Sequence, residues 1–120
     1  MQHALNWFEI PSTDFDRAVG FYTTLLGIEL KVMEMNGRRL GMFPVDEQGV
    51  GGCVSNDSRK PSADGSIVYL NARDQLDAML ARVETAGGTV ILPRTDIAPN
   101  GFIAIVQDTE GNHVGLHSMV

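Results

Sequence analysis

Residues 12–27 read STDFDRAVGFYTTLLG, and this stretch decides the fold. Its first three residues are of types that cap the start of a helix, an acidic first turn follows, and Gly27 is a natural stop. Apolar residues recur at helical spacing within it: Phe15, Val19, Tyr22 and Leu26. The stretch therefore predicts a helix of three to four turns with one buried face.

The segments on either side of this helix predict strands. In residues 3–11 the side chains of Trp7 and Glu9 would point to one face of a strand, and those of Phe8 and Ile10 to the other. Residues 28–55 read as short strands, with the Asn36-Gly37 pair as a strong hairpin signal. The first half of the chain thus has the order βαβββ.

The second half repeats this order. Overlaying residues 14–16 on residues 75–77 brings Gly27 onto Gly88 and Val19 onto Leu80. A second helix is predicted over residues 74–88, with strands over 66–72, 89–93, 101–108 and 113–119. We therefore predict an α+β fold of two βαβββ modules, residues 1–55 and 65–120, joined by a polar linker over 56–64.

Composition excludes several classes of protein. The 120 residues are 43% hydrophobic and 20% charged, with a net charge of −6, as expected of a folded domain without affinity for nucleic acid or anionic lipid. No apolar run is long enough to cross a membrane, and the first ten residues lack the pattern of a secretory signal. A single cysteine, Cys53, forms no disulfide within the chain. We expect a cytoplasmic protein.

Three motifs resemble those of one superfamily. They are the Asp-x-Asp-Arg-Ala-x-x-Phe-Tyr-x-x-x-Leu-Gly helix (14–27), the Ala-Gly-Gly stop (86–88) and the Asp-Thr-Glu-Gly-Asn turn (108–112). They are similar to motifs of the vicinal oxygen chelate superfamily, which includes glyoxalase I, bleomycin- and fosfomycin-resistance proteins, extradiol dioxygenases and methylmalonyl-CoA epimerase. The resemblance implies curved mixed sheets around a cavity, and a homodimer. The superfamily hosts many reactions, so the motifs predict a fold rather than a chemistry.

The resemblance also implies where a metal ion would bind. Metal-using members hold a divalent ion with His, Gln or Glu from the first strand of each module, and usually with Glu from the last strand. The corresponding positions in this chain are Trp7, Ile67 or Val68, Gly51 and Gly115. None of these side chains chelates a cation, so we predict a cavity without a metal or other cofactor.

The two glycines suggest what replaces the metal. Absent side chains at Gly51 and Gly115 leave room beside Trp7 for a small, partly aromatic molecule; alternatively, Trp7 itself fills that space. The predicted ligand-binding residues are Trp7, Glu9, Gly51, Cys53, Tyr69, Gly115 and His117. The first hypothesis is therefore a metal-independent binding protein, similar to the bleomycin-resistance branch.

The second hypothesis is an enzyme: a glyoxalase-like lyase or isomerase, or a dioxygenase. Glu9 and His117 would be its catalytic acid and base, because the two residue types exchange protons near neutral pH when suitably placed. A displaced zinc, nickel, manganese or iron ion, held by Glu9, His117 and either His113 or His3, is the other possibility. Cys53 could be a nucleophile, although such a cysteine is more often a small buried apolar residue.

Overall fold

The computed structural model of the chain describes residues 2–120. Within these residues the element order βαβββ occurs twice. The first module contains β1 (Trp7–Pro11), α1 (Phe15–Leu26), β2 (Lys31–Met35), β3 (Arg38–Met42) and β4 (Gly51–Ser55). The second contains β5 (Tyr69–Asn71), α2 (Leu76–Arg82), β6 (Thr89–Asp96), β7 (Phe102–Gln107) and β8 (His113–Ser118).

Each module forms one four-stranded mixed sheet. The strand orders are β1-β4-β3-β2 and β5-β8-β7-β6, and the first strand of each module pairs in parallel with its last strand. The remaining pairs are antiparallel. The sheets are curved but not closed, which confirms the predicted α+β fold.

Helix α1 forms as the sequence predicts. Asp14 is its N-cap and accepts a hydrogen bond from the backbone N–H of Arg17 at 3.1 Å. Gly27 ends it with φ 73°, a left-handed conformation that glycine adopts without a steric penalty. Phe15, Tyr22 and Leu26 are buried, as expected from their spacing, and the Asn36-Gly37 turn joins β2 to β3 with φ of 54° and 78°.

Helix α2 is shorter than predicted. It ends at Arg82 instead of continuing to Gly88, and the chain then passes through turns to Gly87, where φ is 101°. Its N-cap, Gln75, makes no side-chain cap bond, so this helix lacks the support that Asp14 gives α1. Strand β5 is also shorter than the predicted 66–72, whereas β6 extends beyond the predicted 89–93.

The two modules share one hydrophobic core between the helices and the sheets. Two arginines of the second module also bind the end of α1: Arg73 donates to the carbonyl of Leu26, and Arg82 donates to that of Leu25 at 3.0 Å. The last carbonyls of a helix lack partners within the helix and carry partial negative charge. These contacts therefore satisfy the end of α1 and dock the modules together.

The turn over residues 108–112 docks onto the start of α1. The buried Asp108 accepts a hydrogen bond from Tyr22 Oη at 2.6 Å, and the carboxylate of Glu110 accepts bonds from the backbone N–H groups of Thr13 and Asp14 at 2.8 and 2.7 Å. Arg17 forms an ion pair with Glu110 at 2.8 Å. A turn motif that the sequence analysis treated as a marker of the fold therefore joins the two modules.

None of the helices within residues 2–120 is both long and apolar enough to cross a membrane.

Candidate functional site

The residues predicted for the site lie on one face of each sheet. Side chains alternate along a strand, and Ile10 of β1 is buried in the core against the helices. Trp7 and Glu9 therefore project from the opposite face, which we call the open face of that sheet. On the second sheet, Tyr69 of β5 and the two histidines of β8 project from the corresponding open face.

Each open face pairs an aromatic residue with a glycine. Trp7 of β1 lies opposite Gly51 of β4, and Tyr69 of β5 lies opposite Gly115 of β8. The two modules therefore place the same combination of residue types at equivalent positions.

The pairing corrects one predicted position. Tyr69, not Ile67 or Val68, is the counterpart of Trp7 in the second module. Tyr69 lies one position nearer to its helix N-cap, Gln75, than Trp7 lies to Asp14, so an alignment that starts from the helices misplaces the strand by one residue.

Both aromatic rings lie on their paired glycines. A Cβ atom on Gly115 would be 2.2 Å from Cδ1 of Tyr69, and a Cβ atom on Gly51 would be 3.3 Å from Cζ3 of Trp7. The rings thus occupy space that a side chain at either glycine would need. Trp7 nevertheless remains 41% exposed and Tyr69 44% exposed. Each ring is a flat apolar surface that rests on the sheet and is accessible to a ligand.

The four positions do not fit the divalent metal that the resemblance implies. An indole and two glycines offer no metal-binding side-chain atom, and the phenol of Tyr69 is the only oxygen among them. Among residues 2–120, no three His, Cys, Asp or Glu side chains are grouped so that they could hold a metal ion. Glu9, His117, His113 and His3 are accordingly not grouped in this structure as a displaced metal centre would require.

Glu9 is held in place by two donors on the open face. The indole Nε1 of Trp7 donates to Oε2 of Glu9 at 3.3 Å, and Nη2 of Arg38 donates to Oε1 at 2.9 Å. The same nitrogen of Arg38 lies 3.3 Å from Oδ2 of Asp57. Two carboxylates thus share one guanidinium group, and Glu9 in turn orients the ring of Trp7.

Arg38 and Asp57 are site residues that the sequence analysis missed. Arg38 lies two residues after Asn36. It lies on the same face of β3 as Leu40 and Met42, because every second side chain of a strand points the same way, so its face could have been predicted. Its contact with Glu9 depends on how β3 and β1 flank β4 in the sheet, and no local sequence signal gives that order.

Cys53 does not reach the surface. Its side chain is fully buried, and burial, followed by the nearby charge of Glu9, raises the pKa of its thiol to about 11. A thiol that stays protonated and covered is neither a nucleophile nor a contact for a ligand. Cys53 thus stays a predicted ligand-binding residue whose side chain is covered in this structure.

Two crevices lie where the sheets meet. The predicted acid and base, Glu9 and His117, do not line the same one. The larger, of about 790 Å³, has Gly51 and Tyr69 in its lining. The smaller, of about 190 Å³, is lined by Glu9 together with His113. His117 lines neither crevice; its Nε2 instead lies 2.7 Å from the carbonyl oxygen of Asn100.

Sequence comparisons identify relatives over most of the chain. A family model described as the Glyoxalase/Bleomycin resistance protein/Dioxygenase superfamily matches residues 4–116. "Putative glyoxylase CFP32" of Mycobacterium tuberculosis is 30% identical over 108 residues, which are 89% of this chain and 41% of that protein. "Anthracycline biosynthesis protein DnrV" of Streptomyces peucetius is 30% identical over 119 residues, covering 88% of this chain and 43% of that protein. The chain thus spans about two fifths of the length of these curated relatives.

Solved structures agree on the fold. A glyoxalase/bleomycin resistance protein/dioxygenase family enzyme from Burkholderia phytofirmans superimposes with a TM-score of 0.70 at 14% identity, over 98% of this chain and 100% of that one. A glyoxalase/bleomycin resistance protein from Albidiferax ferrireducens gives a TM-score of 0.68 at 18% identity, over 95% and 97% of the two chains. With the family model covering nearly the whole sequence, the chain belongs to the glyoxalase/bleomycin resistance protein/dioxygenase superfamily.

Proposed function

We propose that the chain is a cytoplasmic, metal-independent binding protein for small, partly aromatic molecules. The observation that carries this proposal is the pair of exposed aromatic rings, Trp7 and Tyr69, lying on Gly51 and Gly115. An aromatic ring supported from below by a sheet presents its free face for offset stacking, and it loses little conformational freedom when a ligand binds.

The surroundings of Trp7 suit such a ligand. Met33 and Met35, on the same open face, are 38% and 53% exposed, and methionine side chains adapt to varied apolar shapes. Glu9 and Arg38 supply polar atoms beside the ring. The name of the Streptomyces peucetius relative refers to anthracyclines, which are polycyclic aromatic molecules, and this agrees with a flat ligand.

Binding is favoured over catalysis by what the predicted acid and base already contact. Both carboxylate oxygens of Glu9 accept hydrogen bonds from protein donors, and His117 is engaged with the carbonyl of Asn100. Glu9 lines the smaller crevice whereas His117 lines neither, so the two groups do not flank one common site for a substrate.

A pair of matched ketones tests the proposal. 9-Fluorenone is flat and aromatic, whereas dicyclohexyl ketone has the same number of carbon atoms but is saturated and not flat. We expect fluorenone to quench the fluorescence of Trp7 in a saturable manner, and calorimetry to detect no comparable binding of the saturated ketone. Equal affinity for the two ketones, or no binding of fluorenone, would contradict stacking on Trp7.

Two variants test whether fluorenone binds at Trp7. Replacing Trp7 with leucine should weaken fluorenone binding, measured by calorimetry, by about 3- to 10-fold, because an aromatic pair contributes that much beyond buried area. Phe102→Leu is the matched control, since this half-buried ring stacks with Arg94 and does not lie on the open face. An equal loss in both variants would indicate a general loss of structure.

We also propose that the chain forms a homodimer. All five residues of the edge strand β2 are exposed, and three of them are the apolar residues Val32, Met33 and Met35. An uncovered edge with apolar side chains can pair with a second copy. Sedimentation at micromolar concentration is expected to give twice the chain mass of 13.0 kDa; a monomer alone would remove the proposal.

A further inference from the structure

The larger crevice borders the open faces at Gly51 and Tyr69 and extends beyond them to the helix side of the sheets. It measures about 790 Å³, within the range of organic-ligand sites, and lies between β1 and β5, strands that do not pair with each other. Its apolar lining comes in part from residues on the helix side of the sheets: Phe8, Leu26, Phe43 and Leu70. Trp7 is not among its lining residues. A molecule among these four residues would therefore contact different side chains from one stacked on Trp7.

Arg73 is the one arginine or lysine among the lining residues. Its Nη2 donates to the carbonyl of Leu26 at the end of α1, while Arg82 covers the neighbouring carbonyl of Leu25. The end of a helix carries only about half a negative charge, so two arginines leave positive charge in excess at this wall. Asp46 is the other charged lining residue; its exposed side chain belongs to the loop between β3 and β4.

The backbone around Arg73 also points to a functional role. Arg73 and Asp74 have φ of 53° and 59°, in the left-handed region, which aspartate adopts more readily than arginine does. Two consecutive residues in this conformation have an energetic cost, and such strain is concentrated at functional sites. Here the strained turn sets Arg73 at the cavity wall, against the end of α1.

We propose that this cavity binds an amphipathic organic acid. Its apolar part would lie among Phe8, Leu26, Phe43 and Leu70, and its carboxylate would accept hydrogen bonds from Arg73. Arg73 has donors to spare, because a guanidinium group carries five N–H bonds and, among residues 2–120, only its Nη2 is engaged. This site goes beyond the proposed function, since it is lined without Trp7 and takes a ligand defined by its charge.

Three probes with the same ten-carbon chain test the charge preference: decanoate, 1-decanol and decyltrimethylammonium, each below its micelle concentration. Calorimetry on the full chain is expected to rank decanoate first, about 10- to 100-fold tighter than decanol, as for hydrogen bonds to a charged group. The cation should bind no more tightly than decanol. Absence of decanoate binding, or a preference for the cation through Asp46, would overturn the proposal.

The variant Arg73→Gly tests whether the guanidinium group of Arg73 binds the carboxylate. Glycine adopts the same positive φ without strain, so the turn should persist while the guanidinium group is lost. We expect decanoate to bind this variant no better than decanol, with decanol unchanged. Arg82→Gln is the matched control: it removes the other arginine at the end of α1 but not a lining residue, and should leave decanoate binding unchanged. Equal losses in both variants, or none in Arg73→Gly, would refute the assignment.

Two further variants test whether decanoate binds in this cavity and whether its site is independent of Trp7. Val45→Trp enlarges an exposed lining residue and should weaken decanoate and decanol alike, whichever way the Arg73 turn responds. Trp7→Leu should not affect decanoate while it weakens fluorenone. Loss of decanoate binding in Trp7→Leu would show that the two ligands share one site and would reject a separate site.

Discussion

Replacing Asp108 with alanine is expected to lower the free energy of unfolding by roughly 3–5 kcal/mol, because it leaves a group of buried donors without an acceptor. Asp108 is 3% exposed and accepts hydrogen bonds from Tyr22 Oη, from the backbone N–H groups of Glu110 and Asn112, and from Nδ2 of Asn112. Burial, with the nearby charge of Asp108, raises the pKa of Tyr22, which therefore stays protonated as a donor. Urea unfolding followed by circular dichroism measures the effect.

Asp77→Ala is the control for this change. The side chain of Asp77 is 78% exposed and forms a surface ion pair with Arg94 at 3.3 Å, so its loss should change stability by less than about 1 kcal/mol. Tyr22→Phe removes a single donor to Asp108 and should give an intermediate loss. If Asp108→Ala were no more destabilising than Asp77→Ala, the turn over 108–112 would not hold the modules together.

Replacing Glu110 with glutamine is expected to lower the stability by roughly 2–3 kcal/mol at neutral pH and by progressively less in acid. Burial alone would raise the pKa of Glu110, but hydrogen bonds from Arg17, Asp14, Thr109 and Thr13 outweigh it and lower the pKa from 4.5 to about 2. A carboxyl group with a lowered pKa stabilises the fold fully above the unfolded value and loses that contribution as pH falls towards the folded value.

Unfolding curves at several pH values test this directly. The difference in stability between wild type and Glu110→Gln should shrink as pH falls from about 4.5 towards 2. Glu84→Gln, at an exposed position where the carboxylate makes no hydrogen bond or ion pair with any of residues 2–120, should follow the wild-type profile. A constant difference between wild type and Glu110→Gln across this window would mean that ionisation of Glu110 does not support α1.

Features set by local sequence could be predicted. The start and end of α1 follow from Asp14 and Gly27, whose capping and left-handed conformations depend on a few neighbouring residues. The turn at Asn36-Gly37 follows from the ease with which both residue types adopt positive φ. The proximity of Trp7 to Gly51 could also be predicted from the sequence, because the motif around α1 fixes the position of β1.

Features that depend on contacts distant in sequence could not be predicted. Tyr69 was predicted to bind ligand but was not recognised as the counterpart of Trp7, since a difference of one residue before α2 is invisible without the strand register. The ion pair of Arg38 with Glu9 crosses the intervening strand β4, and the larger cavity is lined by Phe8 and Leu70, residues far apart in the chain. These features arise only when the two modules pack together.

We propose that the open faces bind organic molecules without a metal, because Trp7, Tyr69, Gly51 and Gly115 stand where chelating residues would be needed. This proposal is tested most directly by titrating Trp7 fluorescence with fluorenone before and after exhaustive treatment with a chelator, with the metal content of both samples measured by mass spectrometry. We expect identical affinities, and far less than one metal ion per chain in each sample. Stoichiometric zinc, nickel, manganese or iron, with binding lost on its removal and restored on its return, would contradict it.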